Sequence, residues 1–248
     1  DMNEHDHYMA DFERIFDGLD RLGPGSAEDT LQALFALPTV PQTLLDIGCG
    51  RGLSTLLLAK HTQGLVTALD NDEYNLTCLK EAVAASALED HVQLLCASMT
   101  EVPFEGSSFE AIWAEGSAYI MGFGNALKNW RRFIRPQGFL VVSDLIWLTD
   151  NPRSEASSFW QKNYPEMTTL ESRVSSITSL GYRVVCSFPL SQHAWENYLG
   201  PLREKIAELS VQEFSSKALV DIKDEIDIHE RFLEDYGYQF FVLQKNSA

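Results

Sequence analysis

The sequence predicts an α/β protein built on a parallel β-sheet with helices on both of its faces. Apolar runs of about five residues alternate with longer amphipathic segments, which is the pattern of repeated β-α-β units. The first run ends at a glycine-rich turn, and the second ends in an acidic residue. The connections between the parallel strands are expected to be right-handed.

Two helices are predicted ahead of the sheet. Residues 8–21 carry apolar side chains at helical spacing, and the loop that follows them is rich in glycine. Ser26 is the expected N-cap of a second helix over residues 27–37. Pro38 and Pro41 end this helix before the first strand.

From residue 44 onward, strands and helices alternate. The predicted strands are, in chain order, residues 44–47, 65–69, 92–96, 109–114, 138–144, 182–188 and 238–243. The helices between them are expected at residues 53–60, 73–86, 125–134 and 169–180, with a long helical stretch at 192–235. We interpret residues 1–248 as a single domain. Because ligands bind beyond the carboxyl ends of parallel strands, the segments near that edge are expected to form a cap at about residues 1–35, 147–168 and 190–235.

The chain is strongly acidic, with a formal net charge of −17. This charge repels a phosphate backbone or an anionic membrane surface, so neither is an expected partner. No apolar run approaches the roughly 20 residues of a membrane span, and the first residues lack a signal-peptide pattern. Four widely spaced cysteines favour thiols in the cytoplasm over a disulfide framework. His5 and His7 lack further clustered ligands, so we expect no metal site, and a homodimer is one open alternative for the assembly.

The first strand and its turn carry the main functional signal. The strand contains Asp46 and is followed by glycine at alternate positions, Gly48, Gly50 and Gly52, and then by a helix. Glycine allows a tight turn with positive φ and a close approach of the backbone to a ligand, while the N–H groups at the start of the helix are free to bind it. We therefore expect an adenosine-containing cofactor at this turn, with the Cys49 side chain packed inward.

Two acidic residues support this interpretation. Asp70 ends the second strand, where a carboxylate that accepts both ribose hydroxyls is expected, and Asn71 or Asp72 can cap the next helix in its place. Asp46 would be costly to bury without a partner, so we expect it to pair with the ammonium of the cofactor, directly or through water. Glycine at every second position favours S-adenosylmethionine over a nicotinamide dinucleotide.

These motifs resemble the class I S-adenosylmethionine-dependent methyltransferases, and within them the small-molecule branch near the ubiquinone/menaquinone-type enzymes. The resemblance covers about residues 40–145 motif by motif and the rest by the order of elements. It implies a seven-stranded, mostly parallel sheet of order 3-2-1-4-5-7-6, with an antiparallel last strand, helices on both faces and a helical cap. Further shared motifs are Arg21-x-Gly23-Pro24-Gly25-Ser26, Pro103-Phe104, Arg135-Pro136-Gln137-Gly138, the segment 114–119 and Tyr236-Gly237-Tyr238.

The resemblance also implies the residues that hold the cofactor. Arg21, or the loop amides around Gly23 and Gly25, is expected to meet the methionine carboxylate. Ser98 stands where relatives often carry an acid near the adenine amine, so backbone groups or Ser98 itself would bind that amine. The complete predicted cofactor set is Arg21, Gly23, Gly25, Asp46, Gly48, Cys49, Gly50, Gly52, Asp70, Asn71, Ser98, Met99 and Glu115.

The implied reaction is direct displacement at the sulfonium methyl by a nucleophile on a small, partly apolar or cationic acceptor. Glu115 or His193 is the predicted base if the acceptor is a hydroxyl or a carbon acid. A thiol or an amine needs no base. Tyr119, with Tyr164 and Trp195, is expected to line the acceptor cavity.

Three alternatives stay open at this stage. A non-catalytic S-adenosylmethionine-binding module would use the same turn without an acceptor cavity. An NAD-dependent oxidoreductase would use a similar sheet, although the glycine spacing argues against it. Enzymes that transfer a different group from a modified cofactor share these motifs too.

Overall fold

A single eight-stranded sheet organises the chain in a computed structural model that describes residues 2–247. The two terminal residues of the predicted domain therefore lie outside the described part. The strands are β1 (Thr43–Ile47), β2 (Leu65–Asp70), β3 (Val92–Cys96), β4 (Phe109–Ala114), β5 (Ile134–Trp147), β6 (Thr168–Thr169), β7 (Tyr182–Pro189) and β8 (Tyr236–Lys245). Their order is β3-β2-β1-β4-β5-β8-β7, with the two-residue β6 beside the end of β5. The predicted order is thus confirmed with one additional short strand, and β8 runs antiparallel to both of its neighbours.

Helices cover both faces of the sheet and its carboxyl edge. They are α1 (Glu4–Phe16), α2 (Ala27–Phe35), α3 (Leu53–Thr62), α4 (Glu73–Ala85), α5 (Phe123–Trp130), α6 (Ser154–Asn163), α7 (Leu170–Ser179), α8 (Gln192–Val211) and α9 (Lys217–Phe232). Within the described residues, no helix combines the length and the apolar character needed to cross a bilayer.

Side chains along each buried strand alternate between two cores. In β1, Leu45 and Ile47 pack with α5 and α7, whereas Leu44 packs on the opposite face with α2, α3 and α4. Both faces are buried, so the central strands are almost continuously apolar, as expected for a parallel sheet. Because β1 to β5 run parallel, they end at the same edge of the sheet, where polar residues can meet.

A third core forms above that edge. Helices α1, α6, α8 and α9, which we term the cap helices, pack on one another and on the end of β5 and the start of β8. Trp160, Trp195 and Tyr236 fill its centre. Burial of these large apolar rings is what fixes the cap helices to the sheet.

Several boundaries differ from the predicted ones. Helix α1 begins at Glu4 because Asn3 and Asp6 form a reciprocal capping box. Helix α5 spans 123–130 and passes into a 3₁₀ turn, so it begins and ends earlier than expected. Helix α6 lies in a segment that looks like a polar loop, because only its Ala156 and Trp160 side chains are buried.

Candidate functional site

A cavity of about 580 Å³ opens between the carboxyl edge of the sheet and the cap helices. This volume lies in the range of small-molecule sites. The predicted residues that line it are Arg21, Gly23, Gly48, Cys49, Gly50, Gly52, Asp70, Asn71, Ser98, Met99, Glu115 and Tyr119. Gly25, Asp46 and His193 do not line it. We term the wall formed by the glycine turn, Asp70 and Glu115 the turn side, and the wall formed by Tyr119 together with α8, α9 and β8 the cap side.

The three glycines of the turn are required for different reasons. All three have positive φ, at +68° for Gly48, +56° for Gly50 and +88° for Gly52. A Cβ at Gly48 would lie 2.6 Å from the Ser117 Cβ, and one at Gly52 would overlap the Leu79 side chain. A Cβ at Gly50 meets protein atoms only at 3.7 Å and would enter the cavity. Gly50 is therefore the position where the turn leaves room for a ligand.

The amides of the glycine turn, ahead of the first helical residue of α3, are largely occupied by the protein itself. Gly48 and Cys49 both donate to the Leu69 carbonyl, at 2.8 and 3.1 Å, and Gly52 donates to Cys49. Gly50 donates to Asp70 Oδ2 at 2.9 Å. These bonds hold the turn against β2. The glycines therefore let the backbone come close to a ligand, and their amides donate to protein groups rather than to the ligand.

Asp70 ends β2 and lines the cavity, and each of its carboxylate oxygens accepts a backbone amide. Its Oδ1 accepts from the Asp72 amide at 2.9 Å, while Oδ2 accepts from Gly50. Burial raises the pKa of Asp70, and the two backbone donors and Asn75 oppose that shift. Because each carboxylate oxygen has two lone pairs, both can accept a further bond from a ligand hydroxyl.

Glu115 follows β4 and is held by three donors from other parts of the chain. Thr30 Oγ1 donates to its oxygens at 3.0 and 3.1 Å, Trp113 Nε1 donates at 3.1 Å, and Ser54 Oγ is also bonded to it. Burial raises the pKa of Glu115, and these hydrogen bonds and the Arg21 charge oppose the rise. Thr30 and Ser54 were not predicted as site residues because each lies inside a helix of ordinary composition.

Arg21 lies beside Glu115 at the mouth of the turn side. Burial lowers the pKa of its guanidinium, and the charges of Glu115 and neighbouring acids oppose that effect. No group within residues 2–247 hydrogen-bonds this guanidinium, so its donors are available to a ligand. Gly25 does not line the cavity, but its backbone contacts the Arg21 guanidinium so closely that a Cβ at Gly25 would overlap Arg21 Nη1.

The remaining turn-side residues come from the ends of β1, β2 and β3. Ser98 Oγ lies 2.7 Å from Thr100 Oγ1, and the Met99 carbonyl accepts from Trp130 Nε1 at 3.0 Å, which fixes this loop. Asn71 is exposed at the rim. The half-buried Cys49 side chain packs against the core of α2, α3 and α4, and burial raises the pKa of its thiol.

Asp46 lies behind the turn rather than on the cavity wall. Its carboxyl is 2% exposed and accepts from Thr55 Oγ1 at 2.7 Å. This buried bond to α3 supplies the partner that the sequence analysis assigned to the cofactor ammonium. Burial raises the pKa of Asp46 to about 7, with smaller contributions from Glu115 and Asp70.

We expect Asp46→Asn to flatten the pH dependence of stability. The folded state binds a proton at Asp46 more tightly than the unfolded state does. The Asp46 contribution to the free energy of unfolding is therefore largest near pH 4 and falls by at most roughly 4 kcal/mol as the pH rises towards 7. Urea unfolding of both proteins between pH 4.5 and 8 measures this. A stability difference between variant and wild type that is the same at every pH would contradict it.

His193 was predicted as a base in the site, but it does not line the cavity. It is exposed on the first turn of α8, where Ala194, Trp195 and Tyr198 take the buried face. The histidine on the cavity wall is His229 of α9, which is 3% exposed. Tyr164 and Trp195 are buried in the cap core, whereas Tyr119 reaches the cavity.

The cap side was not predicted beyond Tyr119. Helix α9 contributes Ile222, Glu225 and His229, which share one helical face, and Tyr198 and Tyr238 come from α8 and β8. The sequence does carry one signal for this wall, a glutamate and a histidine within an otherwise apolar stripe of α9.

Comparison with known proteins agrees with this geometry. Residues 45–142 match a family described as a methyltransferase domain. The methyltransferase GfsG of Streptomyces halstedii is 29% identical over 104 residues, which cover 42% of this chain and 37% of the relative. An O-methyltransferase of Pyrenophora dematioidea is 24% identical over 168 residues, which cover 66% of this chain and 63% of the relative. The chain thus spans less than two thirds of the length of these curated relatives.

The fold has a close counterpart among solved structures. A SAM-dependent methyltransferase from Geobacter sulfurreducens, in complex with S-adenosyl-L-homocysteine, has a TM-score of 0.83 at 18% identity, with 95% of this chain and 97% of that chain covered. The domain match over residues 45–142 and the shared fold support the predicted resemblance: this part of the chain is similar to a methyltransferase domain, and the chain has the fold of a SAM-dependent methyltransferase.

Proposed function

We propose that this protein transfers the methyl group of S-adenosylmethionine to a small-molecule acceptor. The observation that carries the proposal is the division of one cavity into two different walls. The turn side has the Asp70 and Glu115 carboxylates, the Arg21 guanidinium and the side-chain-free bend that suit an adenosyl amino acid, while the cap side has tyrosine rings. A cofactor-binding module without catalysis needs no such second wall.

The turn-side residues fit the cofactor by their chemistry. Asp70 would accept from the ribose hydroxyls, and Ser98 and Met99 would lie near the adenine. Arg21, with its free donors, would bind the carboxylate. Glu115 would bind the ammonium, since its three hydrogen bonds fix the carboxylate in place but leave further lone pairs. Gly50 leaves the space that the ligand needs.

The bound cofactor supplies an activated methyl carbon that needs no covalent enzyme intermediate. The chain's own residues then have to align the acceptor and exclude water. Tyr238 is suited to this, because its hydroxyl lies 3.8 Å from the position of a Cβ at Gly116, at the boundary of the two walls. We assign Glu115 to cofactor binding rather than to proton transfer, because Thr30, Ser54 and Trp113 already hold it.

The test is an incubation of the protein with methyl-labelled S-adenosylmethionine and a small-metabolite extract, followed by mass spectrometry. We expect a labelled product that appears together with S-adenosylhomocysteine and is absent with Gly50→Val. Cofactor binding without any acceptor-dependent product, across extracts of different origin, would favour the non-catalytic module.

The proposal also covers the class of acceptor, the cellular compartment and the binding partners of the protein. A small-molecule acceptor is supported by the size of the cavity and by the names of the curated relatives, among them an O-methyltransferase. The cytoplasm is supported by four cysteines that are all free thiols. The acidic charge disfavours nucleic acid and membrane partners, and a homodimer stays open.

A further inference from the structure

We infer that the cap side of the cavity is a binding site for an organic cation, so that the acceptor carries an ammonium group. The site consists of the rings of Tyr119, Tyr198 and Tyr238 and the carboxylate of Glu225. This inference rests on the proposed function, because it places the acceptor in the same cavity as the cofactor.

The first observation is the position of Glu225. It lies on the cavity-facing stripe of α9 between Ile222 and His229, and its side chain is 38% exposed. Among the ion pairs within residues 2–247, no lysine or arginine is paired with this carboxylate. Its nearest basic neighbour is His229, whose Nε2 lies 3.7 Å from Glu225 Oε1, beyond hydrogen-bond distance.

His229 is not available as a full counter-charge. Its Nδ1 lies 2.5 Å from the Tyr236 hydroxyl, and its ring is packed against Trp160 and Trp195. The ring is held in place by these contacts, and its Nε2 does not come within hydrogen-bond distance of Glu225. Glu225 therefore lines the cavity with no lysine or arginine paired to its carboxylate and no hydrogen bond from His229.

The second observation concerns the tyrosines. Tyr119, Tyr198 and Tyr238 come from three different elements and surround the same space as Glu225. Burial is the main reason that the pKa of each hydroxyl is raised, and the charge of Glu225 acts in the same direction on all three. Tyrosine faces attract cations through their quadrupole, and such rings around a quaternary ammonium form a recurrent recognition site.

The third observation is the distribution of cations along the cavity wall. Its two guanidinium groups are Arg21, beside Glu115, and Arg51, which donates to the Phe16 and Leu19 carbonyls. Both lie on the turn side. A neutral apolar acceptor would bury Glu225 without compensation, which is costly, whereas a cationic acceptor supplies the missing charge.

The experiment compares choline with 3,3-dimethyl-1-butanol, which has the same shape without the charge. Both are titrated calorimetrically into the protein, with and without S-adenosylhomocysteine. We expect choline to bind at least about tenfold more tightly than the neutral alcohol. Equal affinities, or no choline binding by a protein that binds S-adenosylhomocysteine, would overturn the inference. The separate titration with S-adenosylhomocysteine reports on the proposed function alone.

Variants then assign the effect to residues. Glu225→Gln is expected to lower the choline affinity about tenfold and to leave the neutral alcohol and S-adenosylhomocysteine unchanged. Asp224→Asn is the matched control, because it removes one charge from the neighbouring exposed position of α9. It should leave all three affinities unchanged. Tyr198→Phe should retain choline binding and Tyr198→Leu should lose most of it. An equal loss in Asp224→Asn and Glu225→Gln would overturn the assignment to Glu225.

Discussion

Asp70→Ala is expected to weaken S-adenosylhomocysteine binding by at least about a hundredfold, because two ribose hydroxyls lose a charged acceptor worth roughly 1.5–3 kcal/mol each. The carboxylate also accepts from the Gly50 and Asp72 amides, so the substitution loosens the turn. We expect a loss of about 1–3 kcal/mol in the free energy of unfolding from those two unpaired donors. The protein should still fold, since the side chain contributes nothing to the apolar cores.

Calorimetry and urea unfolding of the same preparations separate the two effects. Asp72→Ala is the control, because it removes the side-chain cap of α4 at the Tyr74 amide and so costs about 1 kcal/mol of stability nearby. Its affinity for S-adenosylhomocysteine should change only a few-fold. Unchanged affinity in a folded Asp70→Ala protein would remove the assignment of the ribose to Asp70.

Gly50→Val is expected to abolish detectable S-adenosylhomocysteine binding while the sheet and the cap remain folded. The β-branched side chain would occupy the space into which a Gly50 Cβ projects, and the nearest protein atom, Leu22 Cδ1, lies 3.7 Å from that Cβ. The positive φ of +56° adds strain of about 1–2 kcal/mol for a residue with a side chain. Binding is lost because the ligand and the valine would share the same space.

For Gly52→Val we expect a loss of stability, in contrast to the loss of ligand binding expected for Gly50→Val. Its Cβ would overlap Leu79 in the core between α3 and α4, so we expect the protein to lose stability by several kcal/mol through overpacking and strain. Thermal unfolding and circular dichroism distinguish the two variants. A Gly50→Val protein that binds the ligand normally would show that the turn does not approach it.

The sheet was predictable because its signal is local. Each central strand is a short apolar run that is buried on both faces, and the turn after β1 repeats glycine at fixed spacing. Helix α6 was not predictable, since its packing depends on contacts with α9 that are distant in the sequence. The two-residue β6 forms only because β5 extends to Trp147 and offers it an edge.

The candidate site likewise has one wall that was predictable from the sequence and one that was not. The turn-side residues follow strands directly, so the order of strands brings Gly50, Asp70 and Glu115 together. Glu225 and His229 belong to a helix far along the chain, and only the packing of α9 on α1 and α6 directs them to the cavity. His193 was favoured because it follows a strand, but the helix that begins at Gln192 turns it towards solvent.

A crystal structure of the protein with S-adenosylhomocysteine tests the central claim most directly. We predict the amino acid moiety over Gly48–Gly52 between Arg21 and Glu115, with both ribose hydroxyls on Asp70 and the sulfur directed towards Tyr238. Ligand bound elsewhere, or a turn that stays closed by protein atoms at saturating ligand, would contradict the account.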